Sequence, residues 1–139
     1  MKMISLRFIA ALALLVFSSC DLNNDEPNFY FSSLPIASVE MPESFVLNET
    51  YEIKVTYTLP DNCTTFAGFD VSKQEITTRH VAVVGTVHTD QEPCTGEAQV
   101  TTASFDFIVI HDQTYLFRFW QGNSSDGEPQ FLEVEVPVN

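Results

Sequence analysis

The sequence has little positive charge: 6 lysine and arginine residues stand against 19 aspartate and glutamate residues, a formal net charge of −13 over 139 residues. A chain this acidic repels nucleic acid phosphates and anionic lipid headgroups, which excludes nucleic acid as a partner. It also lacks an apolar run of the roughly 20 residues that a transmembrane helix needs. The composition, 45% apolar and 12% aromatic, excludes a disordered tail, and the length allows one domain with a core.

What is present at the start is an export signal. Two positive charges, Lys2 and Arg7, precede an unbroken apolar run over residues 8–17, and two serines then lead to Cys20. A basic start, a short apolar stretch and small residues are the layout of a secretory signal peptide. The segment resembles the lipobox of bacterial lipoproteins, although Phe17 stands where leucine is usual. The resemblance implies that Cys20 takes a diacylglycerol and becomes the new N-terminus. The alternative is an ordinary signal peptide with an unmodified Cys20.

These features predict three segments: a lipoprotein signal peptide over 1–19, the lipidated Cys20 with a flexible acidic spacer over 20–28, and one domain over 29–139. Signal removal takes away two basic residues and no acidic one. It therefore leaves four basic against 19 acidic residues, a net charge of −15. Attachment to the membrane must then come from the lipid, whose acyl chains contribute about 0.8 kcal/mol per buried CH₂. The predicted location is the bacterial cell envelope, at the outer membrane.

The remaining cysteines, Cys63 and Cys94, form an even pair in an exported chain, which predicts a disulfide. Both stand in turn-like surroundings rich in proline and polar residues. A bridge between them would close a loop of about 30 residues and contribute about 3–4 kcal/mol in the chain-entropy model. The alternative, a catalytic or metal-binding thiol, lacks a second nearby cysteine or a supporting histidine.

The domain is patterned with a period of two, which predicts strands. In the clearest case, residues 51–59 alternate apolar and polar side chains, with Tyr51, Ile53, Val55, Tyr57 and Leu59 on one face. Further strands are predicted over 36–41, 65–71, 75–89 (with a bulge at Gly85), 99–110, 115–121 and 131–138. Residues 112–114 are expected to make a tight hairpin, and the runs 105–110 and 115–120, apolar on both faces, to lie in the middle of a sheet.

About seven strands and no amphipathic helix predict an all-β antiparallel sandwich. The strand pattern over 29–139 is similar to immunoglobulin-like or fibronectin-like domains, which implies a binding or structural module. The disulfide with a tryptophan between its cysteines, typical of immunoglobulin domains, is missing, because Trp120 follows both cysteines.

No residue pattern predicts catalysis, a metal site or a cofactor, and we do not expect an enzyme. His80 and His88 fall on one strand face about 26 Å apart at 3.3 Å per residue, too far to share a metal ion. We expect them and His111 to be surface imidazoles. Asp21, Asn23 and Asp25 imitate the first three ligand positions of an EF-hand calcium loop, but Glu26 stands where such a loop requires glycine.

The candidate ligand-binding residues are Arg118 and Trp120. If Tyr115, Phe117 and Phe119 face the core, Arg118 and Trp120 lie on the opposite face, where an indole beside a guanidinium suits stacking on a sugar or a peptide. The alternative is that a neighbouring element covers this face, with Arg118 paired to Asp106. The predicted function is therefore a lipid-anchored envelope protein that presents a binding or structural module. The alternatives are a surface carbohydrate-binding module or an accessory subunit of an outer-membrane complex, and the oligomeric state is not predicted.

Overall fold

The computed structural model of the chain describes residues 26–139, so the predicted leader and Cys20 lie outside the described residues. Within this range the predicted all-β sandwich is confirmed, with eight strands against the seven or so expected. The strands are β1 (Phe29–Leu34), β2 (Ile36–Glu40), β3 (Thr50–Leu59), β4 (Thr64–Lys73), β5 (Thr78–His88), β6 (Gln99–Ile108), β7 (Tyr115–Asn123) and β8 (Pro129–Val136). A search of residues 26–139 finds no helix long and apolar enough to cross a membrane.

Five strands form one sheet around β5. Strand β4 pairs with one edge of β5, while β1 and β7 share its other edge, β1 alongside residues 83–88 and β7 alongside residues 78–81. Strand β8 pairs with the far side of β7. Every pair is antiparallel except β5–β7, which is parallel. The second sheet has three strands in the order β2-β3-β6.

The chain passes from the five-stranded to the three-stranded sheet at Pro35, between β1 and β2. Leu34 and Ile36 on either side are both buried in the core. Proline has no N–H to donate to a strand ladder, so it suits a position at which the chain leaves one ladder and joins the other.

The core lies between the sheets and follows the alternation read from the sequence. Ile53, Val55 and Tyr57 of β3 point inward, as predicted, and meet the inward side chains of β5, β7 and β8. An aromatic cluster fills the centre of one end, where Phe107 lies 5.0 Å from Phe117 between ring centroids in an edge-on arrangement. Such edge-on pairs contribute about 0.5–1.5 kcal/mol beyond the area that they bury.

The bulge predicted at Gly85 is wrong in its position. The extra residue lies on β4, where the register shifts between Phe66 and Gly68 opposite the β5 pair Val84–Gly85. Gly85 itself is buried and keeps a regular register with β1. A Cβ atom there would lie 2.9 Å from Leu34 Cδ1. The glycine is therefore required by close packing in the core.

The tight hairpin predicted over 112–114 is also wrong, because β6 and β7 belong to different sheets. The turn carries the chain across the sandwich. Strand β6 lies at the edge of its sheet, not in the middle as predicted, and its outward side chain Ile108 is 57% exposed. The apolar run over 105–110 combines core residues with apolar side chains that remain at the surface.

Tyr115 holds this crossing in place. Its ring is fully buried at the start of β7, and its hydroxyl accepts hydrogen bonds from the backbone N–H groups of Ile110, at 3.3 Å, and His111, at 3.1 Å. These donors have no strand partner at the turn, and a typical hydrogen bond of this kind contributes about 0.5–1.5 kcal/mol.

One arginine, Arg79, lies largely buried at the start of β5. Its Nη1 atom donates to the carbonyl oxygens of Glu75, Ile76 and Thr78, at 3.0–3.2 Å. Its guanidinium carbon also lies 5.4 Å from the centre of the Tyr115 ring. The side chain thus closes the β4–β5 turn onto the aromatic cluster, a role that nothing in the sequence pattern indicated.

Candidate functional site

The candidate site lies on the outer face of the five-stranded sheet. Tyr115, Phe117 and Phe119 are fully buried, so alternation along β7 places Arg118 and Trp120 on the outside, each half-buried. This is the orientation on which their predicted binding role depends. The two residues belong to the middle strand of this half of the sheet, between β5 and β8.

Arg118 is fixed by three neighbours. Its Nε atom donates to Glu133 Oε1 at 2.7 Å, and its Nη1 atom donates to His80 Nε2 at 3.0 Å. Its guanidinium carbon lies 4.3 Å from the centre of the Phe131 ring. The pairing with Asp106 that the sequence left open does not occur, because Asp106 lies on β6 in the other sheet.

The strand register produces this arrangement. His80 stands directly beside Arg118 in the parallel β5–β7 pair, and Glu133 stands directly opposite it in the antiparallel β7–β8 pair. Charge-assisted hydrogen bonds of this kind are short and about twice as strong as neutral ones. The guanidinium therefore has a fixed position, with its charge balanced by Glu133.

His80 is neutral in this surrounding. Burial lowers the pKa of its imidazole, the nearby Arg118 charge lowers it further, and the Glu133 carboxylate opposes both. Since a guanidinium only donates hydrogen bonds, Nε2 of His80 must be the acceptor, which leaves Nδ1 as the protonated nitrogen. The ring also packs 5.1 Å from that of Phe131. The sequence pattern predicted that His80 lies on the outer face, but it did not indicate that His80 pairs with Arg118.

A depression of about 220 Å³, here called the outer depression, lies next to this cluster. Trp120 and Phe131, which are register partners, line one side of it. Polar side chains from three strands line the rest: Ser33 of β1, Asp70 and Ser72 of β4, and His80 of β5. The arrangement places two aromatic rings beside a carboxylate, two hydroxyls and an imidazole, which can hold a small ligand by stacking and hydrogen bonds.

A second depression of about 260 Å³ lies further along the same strands. It is apolar, and its lining includes Phe31 of β1, Val84 of β5 and the β4 bulge at Gly68. Strands β1 and β5 line both depressions, with Ser33 and Phe31 two residues apart. Phe31 is 65% exposed, a large apolar side chain left at the surface. The two depressions therefore adjoin.

The predicted disulfide between Cys63 and Cys94 is confirmed, with an S–S distance of 2.07 Å. Cys63 is fully buried just before β4, whereas Cys94 belongs to the exposed 89–98 loop. The bridge ties this loop to the end of the sandwich. Asp61 supports the same corner by accepting hydrogen bonds from the Cys63 N–H, at 3.0 Å, and the Thr64 hydroxyl, at 2.9 Å.

The other histidines stand apart from the site. His88 Nε2 lies 3.3 Å from the Thr65 hydroxyl, and the His111 ring lies 6.4 Å from that of Tyr115. Within residues 26–139, no three histidine, cysteine, aspartate or glutamate side chains are grouped as a metal site requires.

No protein-family model, curated protein or solved structure matches this chain. Its function must therefore be inferred from its own residues.

Proposed function

We propose that the chain is a lipid-anchored protein of a bacterial cell envelope that presents its β-sandwich as a binding module. The signal-like start and the lipobox-like approach to Cys20 support the anchor. The Cys63–Cys94 disulfide fits an exported location, because such bonds persist in oxidising compartments. Because the mature chain would carry a net charge of −15, it is repelled by anionic lipid headgroups, so the lipid on Cys20 is the proposed means of attachment to the outer membrane.

The immunoglobulin-like character of the domain is part of this proposal. Tyr115 supports it, because a tyrosine at the start of a strand that bonds back to the preceding corner is a feature of such sandwiches. The parallel β5–β7 pair differs from their antiparallel sheets.

The observation that carries the binding role is the outer depression, where Trp120 stays half-exposed beside a fixed Arg118–Glu133 pair. A half-exposed indole with convergent polar groups is typical of a ligand site, since a purely structural tryptophan is better buried.

The anchor is tested by Cys20→Ser. We expect the variant to leave the membrane fraction and to lose incorporation of labelled palmitate, with Ile108→Ala, an exposed position on β6, as the control that keeps both. A Cys20→Ser protein that remains in the membrane fraction, or that still takes up label, would contradict the anchor.

The binding role is tested in intact cells by a photoreactive phenylalanine analogue in place of Ser33, which lines the outer depression. We expect cross-linking that Trp120→Ala removes. Cross-linking that persists unchanged in the Trp120→Ala background, or none from this position, would count against the proposed site.

A second candidate, an accessory subunit of an outer-membrane complex, is favoured by β6. Its outward side chains Val100 and Ile108 are 70% and 57% exposed at a sheet edge, which is a surface suited to a protein partner. The same photoreactive group in place of Ile108 tests this candidate. A discrete cross-linked protein band would support it, and no band would reject it.

A further inference from the structure

We infer that the outer depression binds a neutral saccharide, stacked on Trp120 and hydrogen-bonded by the polar side chains around it. This inference rests on the proposed binding function and names the ligand class of the same site.

The charges around the depression disfavour an anionic ligand. The Arg118 guanidinium, which contacts His80 and Phe131 of the lining, is already paired with Glu133 at 2.7 Å. His80 Nε2 accepts a hydrogen bond from the Arg118 guanidinium, which can only donate, so the imidazole in this arrangement is neutral. Asp70 lines the depression and takes part in neither ion pair found among residues 26–139. The site therefore carries a negative charge on a chain that is acidic overall, so phosphate and carboxylate ligands are repelled.

The groups that line the depression match the two kinds of surface on a sugar ring, its apolar face and its polar edge. A pyranose presents an apolar C–H face, which can lie on the Trp120 indole, and equatorial hydroxyls, which can donate and accept at its edge. Asp70 accepts hydrogen bonds, Ser33 and Ser72 both donate and accept, and the His80 Nδ1–H donates. A cationic side chain could satisfy Asp70 and Trp120, but it would leave the donors at Ser33, Ser72 and His80 unused.

The second depression extends the inference to more than one sugar unit. It adjoins the first along β1 and β5 and presents the exposed Phe31 ring as a further stacking surface. The registers place Phe31 opposite Thr86 of β5 and Phe119 opposite Val81, so Trp120 and Phe31 lie about four residues apart along β5, roughly 13 Å. A ligand of several sugar units is needed to reach both rings.

The test uses the full mature chain, extracted from its own membranes in a detergent without a sugar headgroup, on an array of neutral and acidic glycans together with hexalysine. The neutral glycan with the strongest signal is then titrated as its disaccharide and its hexasaccharide. We expect Trp120→Ala to weaken binding about tenfold or more, corresponding to the loss of one stacked aromatic contact. Ile108→Ala, which removes an exposed apolar side chain from the other sheet, is the matched control and should leave affinity unchanged. Phe31→Ala should weaken the hexasaccharide more than the disaccharide.

Three results would overturn the inference: no neutral glycan bound, binding confined to acidic glycans or hexalysine, or glycan binding that Trp120→Ala leaves intact. If Phe31→Ala weakens binding of the disaccharide and of the hexasaccharide equally, Phe31 does not belong to the site. If Ser33 cross-links a protein in cells while no neutral glycan binds, the binding module stands and the saccharide assignment fails. If neither is seen, the binding role fails as well.

Discussion

The guanidinium of Arg118 lies over the ring of Phe131, with its central carbon 4.3 Å from the ring centroid. A cation at this distance from an aromatic face gains about 0.5–1 kcal/mol at an exposed site. The contact also orients Phe131 toward the outer depression. In the proposed site, Arg118 positions Phe131 and His80, and Trp120 is the residue proposed to touch the ligand.

Replacing Arg118 should change the titration of His80. Burial first, and the Arg118 charge second, keep the pKa of His80 below its usual value. Arg118→Met removes that charge and leaves the opposing influence of Glu133, so we expect the pKa of His80 to rise. Chemical shifts of the imidazole followed by NMR across a pH series measure the change. Lys54→Met, which removes a cation from the other sheet, should leave the titration where it is.

Stability should fall with acidification through His80. Burial and the Arg118 charge hold the native pKa of His80 below its ordinary value of 6.5, so below pH 6.5 the unfolded chain takes up a proton that the native protein does not. This contribution to the free energy of unfolding is fully present above pH 6.5. It is lost as the pH falls from 6.5 toward the native pKa, and below that pKa no further change is expected from His80. Urea unfolding between pH 7.5 and 4.5 should show a shallower decline for His80→Gln. Identical profiles for the two proteins would reject this account.

A methyl group at Gly85 should destabilise the core. The added Cβ would lie 2.9 Å from Leu34 Cδ1 and 3.1 Å from Thr64 Cγ2, both belonging to buried residues. Overpacking of this kind costs about 1–3 kcal/mol, so Gly85→Ala should lower the melting temperature by several degrees. Leu34→Val combined with Gly85→Ala should be less destabilised than the sum of the two single changes. Strict additivity would indicate that Leu34 is not the residue in conflict.

Loss of the Tyr115 hydroxyl should loosen the crossing between the sheets. Tyr115→Phe keeps the buried ring and removes the acceptor of the Ile110 and His111 N–H groups, and each lost hydrogen bond costs about 0.5–1.5 kcal/mol. Tyr57→Phe is the matched control, because Tyr57 is nearly as buried and its hydroxyl has no hydrogen-bond partner among the described residues. Denaturant melts that rank the two variants equally would contradict the role of Tyr115.

Removal of the disulfide should lower stability without changing the fold. The bridge joins cysteines 31 residues apart, and a closed loop of that length contributes about 3.5 kcal/mol in the chain-entropy model. Replacing both Cys63 and Cys94 with serine should reduce the free energy of unfolding by about that amount, with an unchanged far-ultraviolet circular dichroism spectrum. Two free thiols in the mass spectrum of the exported wild-type protein would show that the bond does not form.

Much of the fold follows from local pattern. The alternation over residues 51–59 predicted both the strand and its inward face, because a side chain on a strand changes face at every residue. The same rule placed Arg118 and Trp120 outside once Tyr115, Phe117 and Phe119 were taken as core. The Cys63–Cys94 pair followed from an even count in a chain predicted to be exported.

Local pattern failed where the outcome depended on a partner strand. The bulge belongs to β4 and not to Gly85, since a bulge is a mismatch between two strands and a glycine can equally mark a close approach. The turn over 112–114 was taken for a hairpin because turn composition is the same whether the next strand joins the same sheet or the opposite one.

By itself, then, the sequence determined the all-β class, the acidic composition and the buried faces of β3 and β7, because composition and a two-residue period act along the chain. Only the tertiary structure decided that His80, Glu133 and Phe131 would surround Arg118. These residues come from three strands up to 53 positions apart, and the parallel β5–β7 register that brings His80 beside Arg118 depends on pairing energies summed over the whole sheet.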